Sequence, residues 1–335
     1  MRDPSLIALS YFQQATSCYQ QARYVESIQH YLSGLRYDQS RYHVYADLAK
    51  AYEMVGKWEQ ALAYLDTALQ LCPDSPTVLR RKARINEEKA YYQSIIRESQ
   101  LVDEPPSNFS PILESKNLPQ PQNIVEHPFF ILTVQPVVAP KTLWYICQLI
   151  EKTYNEVGTQ LDCFPSDQIS ISIINTHDVL MPTHVPKWAA GQYDGQIQLN
   201  YCADGEPELG VLYTLIRHEW THLLVDLITH GNCPIWLNEG LAQTVARPLL
   251  SFERLALQQA DEKGTLPTLL ELSQPFSQLS TSERKIAYLH SAAIVATLID
   301  EGGYPSIRQL LCLLGNGTPI ETAMRQTYKE NVIPN

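Results

Sequence analysis

Along the first hundred residues the apolar positions recur at helical spacing, and the arrangement is repeated. Residues 8 to 75 repeat with a 34-residue period: Tyr11 matches Tyr45, Ala15 matches Ala49, Tyr24 matches Trp58, Ser27 matches Ala61, Gly34 matches Ala68 and Leu35 matches Leu69. Helix-turn-helix units that stack on one another have a period of this length. The small residues fall where helices must approach closely. Two such units leave one apolar face uncovered. The segment from Pro76 to residue 100 is therefore expected as a third helix that caps the stack, with the charged run Arg80 to Lys89 on its wet outer face.

After residue 102 the pattern lapses. Pro105, Pro106, Pro111, Pro119 and Pro121 crowd the stretch between Asp103 and His127, with little helical or strand periodicity, so 103–128 is expected to be a proline-rich linker. Beyond it the elements are mixed. Phe129 to Val134 and Gln168 to Ile174 read as strands, the second with Ile169, Ile171 and Ile173 alternating. Between them Leu143, Ile146, Cys147, Ile150, Tyr154 and Val157 are spaced for one helix face, which ends at Gly158. Asp194-Gly195, between Ala189 to Tyr193 and Gln196 to Tyr201, is a hairpin signal. From Pro207 the chain reads as helix almost to its end. Strands first and helices later predict an α+β fold. The expected layout is an all-α repeat module at 1–102, the linker, and a domain at 129–335 with a mixed sheet and a mostly helical C-terminal half.

Composition narrows the function classes. With 44% hydrophobic and 18% charged residues, a chain of 335 residues has material for packed cores rather than disorder. A net charge of -11, relieved by no cluster of Lys or Arg, argues against nucleic acid and anionic membrane as partners, since both need a positive field. Met1 to Ser10 contain no signal-peptide core, and the apolar stretch Phe129 to Ala139 is too short to span a bilayer, so a cytoplasmic protein is expected. The seven cysteines stand singly, which predicts free thiols rather than disulfides or a thiolate zinc site.

Chemistry concentrates at His218-Glu219-Trp220-Thr221-His222, inside an apolar helical segment with Leu212, Leu215, Leu223 and Leu224. Histidines at i and i+4 share one helix face and can reach a single zinc, while the glutamate projects beside an open coordination position. Taken alone, the pattern also fits a helix with two half-exposed histidines and a surface carboxylate. A catalytic zinc needs a third protein ligand from a neighbouring element. The helix runs to about His230, breaks at Gly231-Asn232-Cys233-Pro234 and restarts with Trp236-Leu237-Asn238-Glu239-Gly240. At about 1.5 Å per residue, two turns out and under two turns back return Glu239 to the height of the histidines. Asp226 and Gln243, one turn beyond His222 and Glu239, are two positions from which an imidazole could be held, or ordinary surface residues.

Two resemblances follow from these residues. The second repeat copy resembles a tetratricopeptide repeat through Tyr45, Leu48, Ala49, Tyr52, Gly56, Ala61, Ala68 and Pro73; the first is weaker, with Ala22 at the turn glycine and Gln39 at the closing proline. Residues 129 to 335 resemble the gluzincin metallopeptidases, particularly their compact peptidase MA-like members, which pair H-E-x-x-H with a downstream N-E-G segment. The resemblance implies a zincin-like fold that binds Zn2+ through His218, His222 and Glu239, with Glu219 as general base. It also implies that Tyr288, near the head of a helix that Ser280 and Glu283 can cap, donates to the oxyanion, and that strand Gln196 to Tyr201 is the edge that holds an extended peptide. His290 is read as structural. The aminopeptidase relatives carry a G-x-M-E-N segment where this chain reads Gly191-Gln192-Tyr193-Asp194-Gly195, so the anchor for a substrate amine is missing. The expected function is a zinc-dependent peptidase acting on a peptide or protein substrate, with the repeats recruiting a protein partner. The alternative is a catalytically inactive repeat adaptor with a peptidase-like binding domain, and a zinc hydrolase of non-peptide bonds is a third reading.

Overall fold

A computed structural model describes residues 3–114, 121–175, 191–193, 196–201 and 207–328. Trp188 to Ala190, the Asp194-Gly195 pair expected as a turn, Cys202 and Glu206 lie outside the described residues. The chain divides into two compact units.

The first unit runs to Gln100 and includes the described parts of 174–187 and 200–210. Its helices are α1 (Pro4–Gln20), α2 (Tyr24–Leu35), α3 (Tyr42–Met54), α4 (Trp58–Leu71) and α5 (Pro76–Glu98). The repeat positions do what their size dictates. Ala8, Ala15, Ala49, Ala61 and Ala68 are fully buried where α1 packs on α2 and α3 on α4. At Gly34 a Cβ would come 2.4 Å from the ring of Phe12. Both intra-repeat turns need a left-handed residue: Gly56 has φ 72° and Ala22, at the matching position, has φ 59°. The expected capping helix, α5, is present as the fifth helix and buries Val78, Ile85 and Tyr92 at seven-residue intervals. Its charges are not simply a wet face. Arg84 donates both ways to Glu53 of α3 at 2.7 Å, Arg81 reaches the same carboxylate at 3.2 Å, and Lys82 and Lys89 pair with Asp66 and Glu59 of α4. Glu53 is buried and could not be charged there without a partner.

The second unit is built on a six-stranded sheet. Its strands are β1 (Ile112–Glu114), β2 (Gln122–Glu126), β3 (Phe130–Gln135), β4 (Ile169–Asn175), β5 (Gly191–Tyr193) and β6 (Ile197–Tyr201), in the spatial order β1-β2-β3-β4-β6-β5. The pairs β1/β2, β2/β3 and β5/β6 are antiparallel. Helix α6 (Pro140–Leu161) carries the chain from β3 to β4, and Ile169 N–H donates to Phe129 O, so these two strands start side by side and run the same way. The sheet is mixed, as expected. Phe130, Leu132, Val134, Ile171, Ile173, Ile197 and Leu199 form its buried face.

Two expectations need correction here. The stretch expected as a linker, 103–128, contains β1 and β2. The inward positions of β2 are Asn123 and Val125, so only one is apolar and no alternation shows; Asn123 Oδ1 instead accepts from Val138 N–H at 3.1 Å. Strand β6 is also not the outer strand, because β5 lies beyond it. A smaller difference is that α6 runs past Gly158 and ends at Asp162, φ 46°; Gly158 is there because the Phe164 ring sits 2.4 Å from where its Cβ would be.

Helices dominate from residue 209: α7 (Leu209–Thr229), α8 (Ile235–Ala246), α9 (Ser251–Glu262), the short α10 (Leu269–Leu272), α11 (Thr281–Gly315, broken at Gly303) and α12 (Ile320–Thr327). Among the described residues no helix is long and apolar enough to cross a membrane. The six cysteines among them are all free thiols.

Candidate metal centre

The site sits on α7 because that helix is buried along most of its length. Leu212, Tyr213, Leu215, Ile216, Trp220, Leu223, Leu224 and Val225 are all core residues, so the polar side chains among them are carried inside as well. Its rotation is pinned next to the site. Arg217 donates from Nε to Val245 O of α8 at 2.9 Å and from Nη1 to Glu156 of α6 at 2.6 Å. The α7–α8 turn takes left-handed conformations at His230 (φ 53°) and Gly231 (φ 77°), and Pro234 precedes the first turn of α8. This tight reversal brings Glu239 back alongside His218 and His222.

Three donor atoms converge. His218 Nε2 and His222 Nε2 are 3.1 Å apart, and Glu239 Oε2 is 3.7 Å from each. Bonds of about 2.0–2.2 Å in a tetrahedral zinc centre set neighbouring donors about 3.3–3.6 Å apart, and the three separations straddle that range. Glu219 joins the cluster, its carboxylate within 4.8 Å of the histidine donors.

The electrostatics suit a cation. His218 is pushed well below the usual histidine range, first by burial and then by His222, so it is held neutral. Burial raises the Glu239 carboxyl, and His222 offsets this only in part. Glu219 is pushed up to about 7, mainly by burial, with Glu239 adding to the rise and His222 opposing it. Two carboxylates and two imidazoles gathered in a largely buried cluster fit a divalent metal by charge and by donor type.

Each imidazole is held from behind. His222 Nδ1 meets Asn238 Oδ1 at 2.8 Å, and the His218 ring bonds to the backbone at Ala242. The first contact requires the proton on Nδ1 and leaves Nε2 for the site. Neither residue considered from sequence has this part: Asp226 is exposed, and Gln243 is buried with its Nε2 unpartnered. Asn238, one residue before Glu239, carries no sequence pattern that singles it out for this contact.

Tyr288 lies on α11, whose start carries the expected capping box: Glu283 N–H donates to Ser280 Oγ, and Ser280 N–H to Glu283 Oε2. Its phenol is raised first by burial, then by the charge of Glu239, with Glu219 adding and Arg284 opposing. The hydroxyl therefore feels the carboxylates of the candidate cluster. His290 is half-buried, bonds to the Pro267 backbone and has no part in the cluster.

Compared with known families, residues 166–332 match the model of the Peptidase MA superfamily and residues 43–85 match that of the tetratricopeptide repeat. The first match takes in β4 and the described elements after it; the second covers the stronger repeat copy and the start of α5. A search of curated proteins finds no match.

Proposed function

We propose, for a chain that carries a Peptidase MA superfamily domain behind a tetratricopeptide repeat, that it is a zinc-dependent peptidase whose metal is held by His218, His222 and Glu239. The observation that carries this reading is the convergence of one carboxylate and two imidazole donors at separations of 3.1 and 3.7 Å. Zinc, when bound, supplies a Lewis acid that acidifies water and polarises a carbonyl.

The rest of the work belongs to the chain. Glu219 takes the proton of the attacking water on a carboxylate oxygen and returns it to the leaving amine nitrogen. The Tyr288 hydroxyl donates a hydrogen bond to the developing oxyanion, a preorganised contact commonly worth about 2.7–4 kcal/mol. Asn238 and the Ala242 backbone keep the two imidazoles in one tautomer. The repeat module, read as residues 1–102, recruits a protein partner or substrate for the peptidase domain, read as residues 129–335. The protein acts in the cytoplasm.

The test is metal analysis of the full chain purified without chelator, followed by mass spectrometry of a peptide mixture after incubation. Stoichiometric zinc and new peptide termini are expected. Glu219→Gln is expected to keep the zinc and lose about 10²–10⁴-fold in kcat. Absence of bound zinc sinks the reading. Full biological activity from the Glu219→Gln protein favours the adaptor instead.

A further inference from the structure

Between α10 and α11 the chain makes a short 3-10 turn, Phe276–Gln278. One buried guanidinium gathers it. Arg284, in the first turns of α11, donates from Nε to Phe276 O at 2.9 Å, and from Nη2 to Ser277 O at 3.2 Å and Leu279 O at 2.9 Å. Arg284 is only 8% exposed. Three carbonyls on a rigid planar fork leave the turn little freedom.

That turn presents Phe276, itself 5% exposed, edge-on to the ring of Tyr288, with centroids 4.9 Å apart and planes at 87°. Arg284 and Tyr288 are four residues apart and so share one face of α11. The links form a chain: the guanidinium holds the turn, the turn holds Phe276, and Phe276 limits the rotation of Tyr288. The phenol that is limited is the one whose hydroxyl feels Glu239 and Glu219.

We propose that Arg284 is a positioning residue for Tyr288, acting through the 276–279 turn and the Phe276 ring to aim the hydroxyl at the metal cluster. Its effect on turnover rests on the peptidase reading above; its effect on the ring does not.

Fluorine NMR of the metal-free full chain, labelled with fluorotyrosine, tests the ring directly. The Tyr288 resonance is the one that vanishes in Tyr288→Phe. In Arg284→Lys, which keeps the alkyl stem but loses the three-carbonyl fork, this resonance is expected to move toward those of exposed tyrosines; Arg284→Gln should move it at least as far. In the zinc-loaded enzyme Arg284→Lys is expected to lower kcat by about tenfold to a hundredfold with KM little changed. In a Tyr288→Phe background it should lower kcat no further. A resonance unmoved in both Arg284 variants overturns the proposal, and so does a full additional loss of kcat in the Tyr288→Phe background. A resonance that moves in a protein without turnover supports the positional link and removes only the peptidase reading.

Discussion

Asn238 shows how much of a site can depend on one side chain that has no pattern of its own. Its amide oxygen, 2.8 Å from His222 Nδ1, decides which imidazole nitrogen faces the site. Outer partners of metal-bound histidines typically govern affinity by about 10–100-fold. Asn238→Ala is therefore expected to weaken zinc binding by that factor in a chelator competition, while the metal-free protein keeps its melting temperature. His218, Glu219 and His222 were legible from sequence because the i, i+4 rule is local, and Glu239 because helix rise can be counted out and back. Asn238 was not: before α8 is docked, an amide beside a ligand looks like any half-exposed polar residue. Ala22 is the opposite case. Its departure from the repeat's turn glycine was visible, and the backbone adopts φ 59° there all the same.

Pairs of helices decide whether these residues stay in place. Gly240, the last letter of the N-E-G triplet, lies where α8 crosses α11, and a Cβ would meet Ser291 O at 2.4 Å and Val295 Cγ2 at 2.7 Å. A backbone oxygen cannot step aside. Gly240→Ala is expected to cost about 1–3 kcal/mol in denaturant unfolding and to reduce bound zinc, because the displaced helix carries Glu239. Just beyond α8, Arg247 and Glu253 form a buried pair at 2.7 Å, and Glu253 also accepts from Leu250 N–H at the start of α9. Burial alone would raise the Glu253 carboxyl, but the Arg247 hydrogen bonds and charge outweigh it and hold it below the usual range. As pH falls, the unfolded chain therefore takes up this proton first. The stability it contributes is complete above about pH 4.3 and is lost as pH falls through the lower folded-state value. Glu253→Gln should flatten that part of the stability curve; an unchanged acid limb would show that the pair does not contribute. At this scale the capping box of α11 was legible, since its signal lies within four residues. β1 and β2 were not, because all of β1 is exposed and β2 turns a polar Asn123 inward.

For the molecule as a whole, the repeat unit stands on a closed set of helices whose last member is tied on by charge. Arg84→Ala removes a two-pronged hydrogen bond to buried Glu53, which Arg81 contacts at the longer distance of 3.2 Å. It is expected to destabilise that unit by about 1.5–3 kcal/mol, read by urea unfolding, without changing zinc content. From the sequence alone came the 34-residue repeat, the α+β order of elements, the two strands β5 and β6 that pair antiparallel, and the four residues that converge at the candidate site. All of these arise from periodicity or spacing within one or two neighbouring elements, where chain geometry leaves few choices. Only the tertiary structure decided that a proline-rich stretch adds two strands, that β5 lies outside β6, that Arg81 and Arg84 of α5 reach the buried Glu53, that Asn238 meets His222 and that Arg284 gathers the 276–279 turn. Each of these depends on which surfaces meet across long separations in sequence. A residue's own pattern does not encode its distant partner, and burial alone turns an ordinary polar side chain into one that must be hydrogen-bonded.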